Sequence, residues 1–83
     1  MKNNGRPNEV ILKGIITVAD WDEDCNVTAI YLSTPDEKEY LVGNNDKGEE
    51  LFHYITRNVK VIGIIGEDKY GKEKITVNEY KLL

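Results

Sequence analysis

The segment EVILKGIITVADW, residues 9–21, constrains the fold of this chain more than any other. It is rich in β-branched residues, contains no proline and alternates as a strand does, with Val10, Leu12, Ile16 and Val18 directed to one face. Gly14 interrupts that same face. A glycine inside a strand marks a bulge or a strong bend, and a long, bent first strand is what a small barrel requires.

The remaining elements follow from period and punctuation. VTAIYLS, residues 27–33, reads as a second strand, and residues 38–43 read as a third, joined by TPDEK, where Pro35 suits the second position of a type I turn. Asp46 and Glu49 have the spacing of a helix N-cap and its third helical residue. Leu51, Phe52 and Ile55 then form a narrow apolar stripe, which predicts a helix of about three turns ending near Asn58. VKVIGIIG is apolar on both faces apart from Lys60 and glycine, and is the candidate for the most buried strand. After the loop EDKYGKEK, the segment ITVNEYKLL supplies a fifth strand with Ile75 and Val77 directed together. Residues 1–8, with Asn, Gly and Pro and no apolar period, read as a mobile tail to a single domain over residues 9–83.

The chain has 83 residues, one cysteine and a formal net charge of −4. One small domain follows, with no internal disulfide and no apolar run near the ~20 residues of a membrane-spanning helix. The polar start is not a signal peptide, so a cytoplasmic location is expected. The negative balance disfavours nonspecific attraction to phosphate backbones. It is uneven, however. Residues 1–56 hold five Lys or Arg against eleven Asp or Glu, a net of −6, whereas residues 57–83 hold six against four, a net of +2. An anion-binding surface should therefore draw on the C-terminal part.

The order strand, strand, strand, helix, strand, strand, with glycine in the first and fourth strands, resembles the OB-fold over residues 9–82. That is a five-stranded Greek-key barrel with a helix between strands three and four plugging one end. The expected class is all-β with one short helix. An SH3-like barrel usually lacks such a helix, and a β-grasp would need the first or third strand to be absent. The resemblance implies a place for ligands: the outer face of strands two and three, flanked by the loops DWDEDCN and EDKYGKE.

On that surface the candidate ligand-binding residues are Trp21, Tyr31, Lys69, Tyr70, Lys72 and Lys74. Single-strand binders combine cations for phosphates with rings on which bases stack. Lys69, Tyr70, Lys72 and Lys74 are the basic and aromatic cluster of the chain, offset by Glu67, Asp68 and Glu73, and a solvated hairpin of mixed charge is the plain alternative. Trp21 either closes the barrel mouth or projects as a stacking surface. Tyr31 points outward if Ile30 and Leu32 point inward, as a stacking ring or merely a cross-strand support. Tyr40 faces inward or outward according to one residue of hairpin register.

Catalytic and metal motifs are not expected. Asp20, Asp22 and Asp24 mimic the first, third and fifth positions of a calcium loop, but Cys25 and Tyr31 occupy the positions that need glycine and glutamate, and strands flank the segment. A hairpin turn explains it better. Cys25 among carboxylates is an ordinary thiol, and His53 has no Cys or His partner at zinc spacing. With no phosphate loop, nucleophile elbow or tuned acid pair, the expectation is a non-catalytic binding module without cofactor or metal. Net charge ranks another protein first as its partner. Single-stranded DNA or RNA is the alternative.

Overall fold

A computed structural model describes residues 9–83; the expected tail, residues 1–8, lies outside the described residues. The chain forms β1 (Glu9–Trp21), β2 (Val27–Ser33), β3 (Glu39–Val42), α1 (Asp46–Glu50) continuing into a 3₁₀ turn (Leu51–Tyr54), β4 (Asn58–Glu67) and β5 (Glu73–Leu82). The strands close a barrel in the order β1-β2-β3-β5-β4, which returns to β1. All contacts are antiparallel except β3 with β5.

The length of β1 has a topological cause. Its first half, Glu9–Ile15, pairs with β4, and its second half, Ile15–Trp21, pairs with β2, so one strand serves two neighbours and pivots at Ile15. Gly14 permits the pivot: a Cβ there would lie 2.4 Å from the Ser33 carbonyl oxygen of β2. The bend expected at this glycine is therefore a close crossing of backbones.

Ile16, Ile30, Leu32, Val59, Val61, Ile75 and Val77 fill the barrel and are wholly buried. Leu51 enters from the helical segment and is equally buried, as a plug at one end. Tyr40 is opposite Leu32 and faces the core, which resolves its register.

The helical segment departs from expectation in two respects. Its N-cap is Asn45 rather than Asp46: the Asn45 side chain accepts from the Gly48 amide at 3.1 Å and donates to the Val77 carbonyl at 2.8 Å, tying the cap to β5. The α-helix also stops at Glu50, tightens into the 3₁₀ turn and ends at Tyr54, short of Asn58. Thr56 then turns into the left-handed region at φ 70°, and the Thr56 amide donates to the Ile16 carbonyl, so β1 itself ends the helical segment.

Candidate functional site

Three hairpin loops share one construction. In each, a residue pairs by a backbone bond with a residue four positions on, and the three residues between them end in the left-handed region: Cys25 (φ 66°), Glu37 (φ 67°) and Gly71 (φ 80°). A turn followed by a left-handed residue is the standard three-residue hairpin. Asp22 and Asp68 reinforce it alike, each carboxylate oxygen accepting two backbone amides, from Asp24 and Asn26 and from Tyr70 and Lys72 respectively. The Asn26 amide chiefly holds the Asp22 carboxyl below the usual carboxylate range. The Asp20 carboxylate accepts from the Trp21 amide at 2.8 Å. Of the aspartates that resemble a calcium loop, Asp22 thus braces the turn, Asp24 supplies one of the amides it holds, and Asp20 accepts from its neighbour at the end of β1.

Register places the candidate residues relative to one another. Thr17 is opposite Tyr31, Tyr31 opposite Leu41, and Leu41 opposite Lys74, so one row crosses β1, β2, β3 and β5 on the outside of the barrel. Ile30 and Leu32, the neighbours of Tyr31, are both buried, which turns Tyr31 outward as expected. Lys72 reaches across from the last hairpin and sets its ammonium over the Tyr31 ring, 4.7 Å from the centroid. Beside Lys74, a cleft of about 220 Å³ is lined by Thr28, Ala29, Leu41 and Phe52 among others.

The charges of the last hairpin are sorted by face. Lys74 is opposite Gly66 and Glu73 opposite Glu67, so the strand period sends Lys72 and Lys74 to the Tyr31 side and the two glutamates to the other. Lys69 and Tyr70 sit at the tip, where Lys69 lies 5.2 Å from the Tyr70 ring centroid and Tyr70 is 81% exposed. Trp21 projects, 59% exposed, opposite Val27. Val27 and Tyr31 are four steps apart along β2, or about 13 Å. The structure therefore brings Tyr31, Lys72 and Lys74 together, with Trp21 and the Lys69–Tyr70 tip at the margins.

A second face carries residues that sequence reading passed over. Ile11 (63% exposed), Ile15 and Leu83 are apolar and outward around β1. Alternation against Val10, Leu12 and Ile16 already placed Ile11 and Ile15 outside; their significance needed the neighbours that register supplies. Among the described residues no polar or charged side chain is buried, and no group of three His, Cys, Asp or Glu is placed to hold a metal ion. No helix there is long and apolar enough to cross a membrane. No protein-family model matches this chain, and neither do the curated proteins or solved structures compared with it.

Proposed function

We propose that the chain is a non-catalytic OB-like binding module whose β2–β3 face, with the last hairpin, takes single-stranded nucleic acid. The observation that supports this most is the placement of Lys72 over Tyr31 with Lys74 in the same cross-strand row. A ring for stacking and two cations for phosphates share one outer face, while the hairpin glutamates point away. The non-catalytic part of the reading rests on the described Asp, Glu, His, Lys and Arg side chains, none of which is buried, since acid–base catalysts are usually tuned by burial.

Titration with a short oligothymidylate at two salt concentrations tests the reading. Tyr31→Ala should weaken binding by about 1–3 kcal/mol with the salt slope unchanged, because stacking releases no counterions. Lys72→Gln and Lys74→Gln should each lower the slope by about 0.7. No binding at low salt, where attraction is strongest, refutes it.

The protein-binding reading that net charge favours has its own support, the exposed apolar side chains around β1 on the other face.

A further inference from the structure

On the outer side of the sheet formed by β1, β4 and β5, Lys13 is opposite Lys60, and Lys60 is opposite Lys81. Neighbouring strands lie about 4.8 Å apart, so three ammonium side chains leave the sheet within about 10 Å. Like charges directly opposite one another weaken a sheet. None of the three takes part in an ion pair among the described residues. Lysine is commonly placed on exposed strand edges to prevent aggregation. That accounts for an edge position, but β4 is paired on both sides, so Lys60 protects no edge.

The row lies between two rows that are apolar on β1 and mixed beyond it, since Ile62 is opposite Glu79, the one carboxylate in these three rows. On one side Ile11 is opposite Ile62; on the other Ile15 is opposite Asn58, whose carbonyl accepts from the Leu83 amide. Ile11, Ile15 and Leu83 are three of the five large hydrophobic residues that the described chain exposes; the other two lie elsewhere, Trp21 at the end of β1 and Tyr70 in the last hairpin loop. Grooves open to both sides, one of about 310 Å³ lined by Lys60, Ile62, Glu79, Tyr80 and Lys81 and one of about 540 Å³ beside Lys13, Ile15 and Leu83.

We propose that this face binds an acidic segment of a partner protein flanked by apolar residues, independently of the ligand on the β2–β3 face. In a chain of net charge −4 the lysine row is where an acidic partner meets attraction. Successive outward rows on a strand are about 6.8 Å apart, which is also the spacing of alternate side chains in an extended peptide. A five-residue segment running along the strands therefore sets its first and last apolar side chains on the Ile11 and Ile15 rows and its third side chain, a carboxylate, on the lysines, while the second and fourth carboxylates face away and add charge. The aromatic ring at this face, Tyr80, is packed against the core and against Tyr54 rather than projecting for a base to stack on, which favours a peptide over nucleic acid.

The test is titration of the ¹⁵N-labelled full chain with three probes: a capped peptide of three aspartates between two leucines, the same peptide with asparagines, and a short oligothymidylate. The acidic peptide should shift the amides of Lys13, Lys60 and Lys81 saturably, and the asparagine peptide should bind at least about tenfold more weakly. Lys13→Gln and Lys81→Gln, both on exposed side chains, should each lower affinity about two- to fivefold. Equal binding of both peptides, shifts confined to other faces, no shift at all, or a stronger response of this face to the oligonucleotide would each overturn the proposal. Failure of the β2–β3 reading is scored separately, at Tyr31 and Lys74.

Discussion

Cys25 and Glu37 hold the backbone conformation that Gly71 holds in the third hairpin. A side chain in the left-handed region costs about 1–2 kcal/mol, which glycine avoids, although glycine also gives up more freedom on folding. Cys25→Gly and Glu37→Gly should therefore each stabilise the chain by about 0.5–1 kcal/mol, and Gly71→Ala should destabilise it by a similar amount. Urea unfolding checks this, and loss of stability in both glycine variants would contradict it. The common loop was only partly legible. Gly71 and Pro35 announce turns, but Cys25 and Glu37 have no intrinsic preference for that conformation, and strand pairing on either side imposes it.

Among elements, the strands were read nearly as they stand because their period is local, and β1 and β2 have the expected bounds. The helical segment was read less well. Asp46 has the right spacing for a cap, yet Asn45 fills the role because it alone of the two is bonded to the Val77 carbonyl across the barrel mouth, a contact no local pattern reveals. Asn45→Ala removes both a cap and a half-buried side-chain bond, and should cost about 2 kcal/mol. Asp46→Ala should cost much less. Equal losses in thermal or urea unfolding would return the cap to Asp46.

For the molecule as a whole, the sequence supplied the element order and the outward turn of Tyr31, but not which strands share a row. Lys72 with Tyr31, and Lys13 with Lys60 and Lys81, come together through pairing between distant segments, which is why the first was expected only loosely and the second not at all. Closure is uneven as well. β3 meets β5 through two register pairs, Leu41 with Lys74 and Val42 with Ile75, extended by the Gly43 amide donating to the Ile75 carbonyl at 2.8 Å. β4 and β5 pair along nearly their full length. Hydrogen exchange should find the Gly43 amide opening at a lower free energy than that of Val61, which lies between two partners; equal protection would mean that the barrel opens only as a unit. The row from Thr17 through Tyr31 and Leu41 to Lys74 runs straight over that short seam. Whatever lies along it acts as a clasp on a hoop: each contact made on both sides of the join also resists its springing apart, so the tightness of the ligand and the rarity of the open ring are one quantity read from two ends.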